Sequence, residues 1–102
     1  MDLIWSKNAE HSFIETLDFW HEHNGSYEYP QKIIIETEKA IEDIKKYPYS
    51  VRYLRELGLH KKAIMKGKFF LYYEIREDET TIELLYFRSS KQQPLEDNAK
   101  SQ

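Results

Sequence analysis

An α+β fold is predicted: a short N-terminal strand, a helical hairpin, then a three-stranded antiparallel meander, with the helices packed on one face of the sheet. Three observations predict it. Apolar residues recur at helical spacing through the first half of the chain, the period changes from helical to alternating after Ser50, and short polar connections of hairpin length separate the last three apolar runs.

Asp2-Leu3-Ile4-Trp5 reads as the first strand, and Ser6 offers a side-chain oxygen to the amides that open a helix. From Lys7 to about His23, Ala9, Phe13, Leu17 and Trp20 follow one another at intervals of four, four and three, which lines one helical face with apolar groups. Asn24-Gly25-Ser26 supplies a stop and a new cap, and Pro30 is early enough in the next segment to fit a first turn. Ile33, Ile34, Ala40, Ile41 and Ile44 form the apolar stripe of the second helix, which Tyr47-Pro48 ends. Strands are then expected over 61–66, 68–76 and 80–88, joined at Lys66-Gly67 and Glu77-Asp78-Glu79. Phe69, Leu71, Tyr73 and Ile75 should face the helices, leaving Phe70, Tyr72, Glu74 and Arg76 on an open face. On the last strand Ile82, Leu84 and Tyr86 fall on one side and Glu83, Leu85 and Phe87 on the other, with either side able to face inward.

One domain accommodates 102 residues. It is expected over 1–94, with 95–102 a mobile tail that holds too little apolar surface to offset its ordering entropy. The net charge of −3 conceals a polarity along the chain. Residues 1–49 carry five basic and ten acidic side chains, residues 50–76 seven and two, and residues 77–102 three and six, so the middle is a basic island.

With no Cys, disulfides, thiolate catalysis and Cys-ligated zinc or iron–sulfur sites are excluded. The first residues lack the basic start and apolar stretch of a secretory signal, and no apolar run approaches the ~20 residues of a membrane span. A cytoplasmic location is expected, with no membrane contact. Glycine-rich phosphate loops, serine nucleophile elbows and His-Glu-x-x-His are all missing, so nucleotide hydrolysis, acyl transfer and zinc proteolysis lack support. His21-Glu22-His23 is a poor metal pair, because residues two apart on a helix point in nearly opposite directions. Neither metal nor cofactor is expected.

Specific residues now join this order of elements: Ile4-Trp5-Ser6-Lys7-Asn8-Ala9 opening the first helix, Leu17-Asp18-Phe19-Trp20, Pro48 closing the second helix, and Leu71-Tyr72-Tyr73-Glu74-Ile75. The ending, Ile82-Glu83-Leu84-Leu85-Tyr86-Phe87 followed by Lys91-Gln92-Gln93-Pro94, is similar to a last strand with a closing Arg-Gln-Asn-Pro pattern. Together they resemble the RelE/ParE superfamily of bacterial type II toxin–antitoxin systems, over roughly residues 2–94. The resemblance implies a toxin that arrests growth and is held inactive by a cognate antitoxin protein. One branch of the superfamily is an endoribonuclease acting on mRNA at the ribosome; the other poisons DNA gyrase without cutting nucleic acid.

The resemblance and the chemistry of the side chains together give candidate roles. A metal-free RNA-cleaving site would draw on His60, Lys61, Lys62 and Lys91, with His60 as acid or base and its lysine neighbours depressing its pKa and neutralising phosphate. Arg52, Arg55, Lys68 and Arg88 would bind nucleic acid, the arginines by bidentate pairing, with an acidic antitoxin segment as the other partner open to Arg52 and Arg55. Phe70 and Tyr72, on the open sheet face, would receive the apolar side of an antitoxin helix. Three departures separate the chain from the cleaving branch: Phe70 stands at the middle-strand Arg position, Lys91 replaces the late Arg, and neither Tyr nor His follows Phe87. The open choices are ribosome-linked RNA cleavage, gyrase inhibition, and a non-toxic domain that only binds antitoxin.

Overall fold

The computed structural model describes residues 1–100. Its elements follow the order β1 (Asp2–Trp5), α1 (Lys7–Asn24), α2 (Glu28–Lys46), β2 (Arg52–Leu54), β3 (Leu59–Ile64), β4 (Phe69–Ile75), β5 (Thr81–Ser89) and α3 (Leu95–Lys100). The strands form one sheet in the order β1-β5-β4-β3-β2, antiparallel throughout except that β1 runs parallel to β5. This is the α+β arrangement the sequence predicts, with one strand more. Arg52-Tyr53-Leu54 pairs with Leu59-His60-Lys61 to make the meander four-stranded, a run too short to carry a visible alternation.

Helices α1 and α2 cover one sheet face. Ala9, Ile33, Ala40 and Ile44 are buried against Phe69, Leu71, Tyr73, Ile82, Leu84 and Phe87, with Trp5, Phe13, Leu17 and Trp20 packed around them. Gly25 closes α1 in the left-handed region (φ 67°) and returns its N–H to the His21 carbonyl at 2.8 Å, a conformation that side chains with a Cβ disfavour.

Strand β5 does not keep its alternation. Tyr73 pairs with Leu84 but Tyr72 with Tyr86, so Leu85 is an extra residue, a β-bulge. The bulge inverts the parity after it. Ile82 and Leu84 face the helices before it, Phe87 faces them after it, and Leu85 and Tyr86 both go to the other face. Phe87 therefore leaves the side on which simple alternation placed it, beside Glu83, and enters the core between Phe13 and Phe69.

The start of α1 holds the bulge. The Ser6 N–H donates to the Leu84 carbonyl at 2.8 Å, while the Ser6 hydroxyl and the Asn8 side-chain amide both donate to the Leu85 carbonyl, at 3.2 and 3.1 Å. The same Ser6 oxygen accepts from the Ala9 N–H at 3.0 Å, capping α1 as its sequence position suggests. One side chain thus sets both the helix entry and the irregular strand. Ser6→Ala should lower unfolding stability by about 1–2 kcal/mol, read as a shifted urea midpoint, and Ser6→Thr should restore most of the loss.

The opposite sheet face is not open. Leu54, Leu59 and Tyr72 are buried there, with Leu57, Phe70, Leu85, Tyr86 and Leu95 packed on them. The segment expected to be a mobile tail begins as α3, and its Leu95 and Glu96 cover this face; residues 101–102 of that segment lie outside the described residues. The physical reason is a buried ion pair that composition does not reveal.

Candidate functional site

Strand pairing places each basic candidate. His60 lies opposite Tyr73 and Tyr53, Lys61 opposite Tyr72 and Arg52, and Lys62 opposite Leu71. Because side chains alternate across a strand, His60 and Lys62 share the helix-bearing face while Lys61 and Arg52 are on the other. The three expected neighbours do not converge.

His60 is buried at 7% exposure rather than set among lysines. Its ring stacks on Tyr73 at 5.1 Å and 15°, with Tyr53 at 4.9 Å and Tyr49 at 5.9 Å beside it. Its Nδ1 is buried with no hydrogen-bond partner among the described residues. Burial holds the imidazole below its ordinary 6.5, so the cause is desolvation and not lysine proximity. Tyr73 donates its hydroxyl to the Pro48 carbonyl at 2.6 Å, and burial pushes that phenol up to about 12. Lys62 turns to Asp43 of α2 at 3.6 Å.

Lys61 has a different partner. Its Nζ donates to Glu96 Oε2 at 2.6 Å, Arg52 approaches the same oxygen at 3.8 Å, and the Tyr72 hydroxyl donates to Glu96 Oε1 at 3.0 Å. The Lys61 ammonium also lies 4.3 Å from the centre of the Phe70 ring. Burial works to raise the Glu96 carboxyl, yet hydrogen bonds from Lys61, its own backbone and Tyr72 together hold it below the usual carboxylate value. Tyr72 is raised, first by burial and then by its bond to Glu96. Glu96, read as tail, is the residue that sequence reasoning missed; Leu95 was the available signal of an apolar anchor. With α3 docked Tyr72 is 1% exposed, so the expected antitoxin surface at Phe70 and Tyr72 lies beneath the chain's own C-terminal segment.

The late basic residues meet elsewhere. A groove of about 470 Å³ runs between α1 and the end of β5, lined among others by Asn8, Thr16, Phe19, Trp20, Arg88 and Lys91. Lys91 lies 5.5 Å from the centre of the Trp20 indole, and Phe19 is 56% exposed. Arg88 donates to the Gln93 carbonyl at 2.7 Å, fixing the turn after β5, while its Nε is buried and without a partner among the described residues. Arg55 and Lys68 are exposed, Lys68 reaching to 6.0 Å from the Tyr29 ring. His21 stacks on Tyr27 and His23 on Phe19, so the two histidines are separately engaged. Among the described residues no helix is long and apolar enough to cross a membrane.

A basic patch with one focus is thus replaced by three separate places: an ion pair under α3, a tyrosine-walled histidine, and an aromatic groove with two basic residues at its end. None assembles a base, an acid and phosphate-binding cations within reach of one another.

Comparison with known proteins agrees with the fold. A solved structure described as the chromosomal ParDE TA system from P. aeruginosa superposes with a TM-score of 0.66 at 16% sequence identity, covering 87% of this chain and 95% of that one. At that identity the likeness is one of fold. No curated protein sequence matches. The family model described as ParE toxin of type II toxin-antitoxin system, parDE, matches residues 3–94. The chain belongs to the ParE toxin family of type II toxin–antitoxin systems.

Proposed function

We propose that this toxin arrests growth by binding DNA gyrase and inhibiting it without covalent chemistry, and that an antitoxin protein relieves the arrest. The observation that carries this over RNA cleavage is the division of His60, Lys61 and Lys62 between two sheet faces, with Lys61 and Lys62 each paired to a carboxylate. Cleavage through a 2′-hydroxyl needs a proton acceptor, a proton donor and free cations around one phosphate. Family membership supports a protein target independently. The groove beside Trp20 is the proposed contact, since it combines an exposed aromatic ring with Arg88 and Lys91, a composition that favours protein binding.

The test follows DNA synthesis and amino-acid incorporation in parallel after the chain is induced alone, with a supercoiling assay on purified gyrase. DNA synthesis should fall first, and the purified chain should block supercoiling. An early fall in translation with supercoiling intact would restore the nuclease reading, and no effect on either would leave an antitoxin-binding domain. Phe19→Ala with Lys91→Ala should weaken gyrase inhibition about tenfold or more, an effect in the range of a binding hot spot, while the thermal midpoint of so exposed a pair changes little.

A further inference from the structure

The tyrosine-walled histidine belongs to a cleft that the gyrase reading does not use. It lies at the opposite end of the strands from the groove beside Trp20 and encloses about 520 Å³, lined by Tyr49, Tyr53, Gly58, His60, Ile75, Arg76, Glu77 and Glu79. Tyr49 and Tyr53 are 59% and 55% exposed, yet both rings are held against one buried imidazole, which is itself backed by Tyr73. Gly58, at φ +66°, carries the β2–β3 turn past the Tyr53 hydroxyl, which lies 3.9 Å from where a Cβ would stand.

The rim has one sign of free charge. Arg76 is bonded to Glu83 at 3.1 Å, which neutralises it, whereas Glu77 and Glu79 have no ion pair among the described residues. Backbone conformation keeps this acidic turn in place: Glu79 adopts φ 57° and its N–H donates to the Arg76 carbonyl at 2.8 Å. Aromatic faces carry negative potential, and carboxylates at the mouth add to it, so the cleft attracts a cation with a flat, weakly hydrated surface. A guanidinium fits this description better than an ammonium, because it stacks on rings while its edge donates to carboxylates. Desolvation keeps His60 neutral near pH 7, so the back wall does not oppose a cation.

We propose that this cleft receives an arginine side chain of a protein partner, the guanidinium stacked among Tyr49, Tyr53 and His60 and its outer edge bonded to Glu77 and Glu79. The proposal is independent of gyrase inhibition.

Arginine amide, titrated into the full chain and followed by NMR on the His60 and Tyr53 ring signals, supplies the test. Saturable shifts confined to these rings are expected, with citrulline amide, its neutral isostere, at least tenfold weaker and lysine amide intermediate. Glu77→Gln with Glu79→Gln should weaken arginine amide about fivefold or more and leave the fold intact, since both side chains are exposed. Tyr53→Leu keeps an apolar side chain on β2 and should also weaken it. Equal binding of citrulline amide, or unmoved ring signals, would overturn the proposal. Free arginine binding more tightly than its amide would overturn the assignment to a protein side chain in favour of a small metabolite, because the acidic rim should repel a free α-carboxylate.

Discussion

Phe87→Ala is expected to lower unfolding stability by about 3–5 kcal/mol, whereas Tyr86→Ala, one residue earlier, should cost no more than about 2 kcal/mol. The difference follows from the bulge at Leu85. Phe87 is buried between Phe13 at 5.1 Å and Phe69 at 5.5 Å, while Tyr86 is half-buried on the other face against Tyr72. Truncating Phe87 removes the ring that joins α1 to β4 and leaves a cavity that three rigid elements cannot collapse into. Urea unfolding measures both variants, and the slope should stay constant if the native state remains compact. A loss of this size approaches the whole stability of many small domains, so Phe87→Leu provides the milder comparison and should cost about 1–2 kcal/mol. Equal losses at 86 and 87, or the larger loss at 86, would place the bulge elsewhere and return β5 to simple alternation.

What was legible in the sequence and what was not separate along physical lines. Helix α1 was legible because Ala9, Phe13, Leu17 and Trp20 repeat the helical period over about three turns, and β4 because Phe69, Leu71, Tyr73 and Ile75 form an unbroken apolar set at a period of two while Glu74 and Arg76 mark the other face. The parity of β5 was not. Leu84, Leu85, Tyr86 and Phe87 are all apolar enough for either face, so an inserted residue leaves no local trace. Among the site candidates, the residue types were visible but their convergence was assumed. The period of two in β3 by itself separates Lys61 from His60 and Lys62 and divides the site between two faces. Glu96 was beyond the reach of pattern, since its burial depends on a partner 35 residues away in the chain. A carboxylate in a polar C-terminal segment is ordinarily solvated, and the Lys61 ammonium, the Arg52 guanidinium and the Tyr72 hydroxyl, all supplied by the sheet, make burial tolerable.

That ion pair carries the other large effect. Lys61→Met removes the nearer of the two charges that compensate Glu96, whose side chain is only 6% exposed, and leaves Arg52 at 3.8 Å; breaking a buried pair in this way costs up to about 3–5 kcal/mol. The chain need not bear all of it. Helix α3 spans only Leu95–Lys100, so the cheaper response is to release the helix and return Glu96 to water. Loss of global stability is then capped at the free energy of docking α3. Fast hydrogen exchange at the amides of 95–97, with the strands still protected, is the expected signature, and Glu96→Ala should show the same. Wild-type protein should reach this released state in acid. The Glu96 carboxyl is held below its ordinary 4.5, so its contribution is complete above about pH 4.5 and is lost as pH falls through the lowered folded value. His60, also lowered, begins to lose its contribution as pH falls below about 6.5, before Glu96 does, and does so without freeing α3. Glu96→Gln should abolish the lower step in exchange at 95–97 and leave the upper loss of global stability unchanged. Release also bears on the antitoxin surface. An antitoxin that docks on Phe70 and Tyr72 must displace α3 from wild-type protein and should bind Glu96→Ala more tightly by the docking free energy thus removed, whereas one that docks in the groove beside Trp20 should bind both equally.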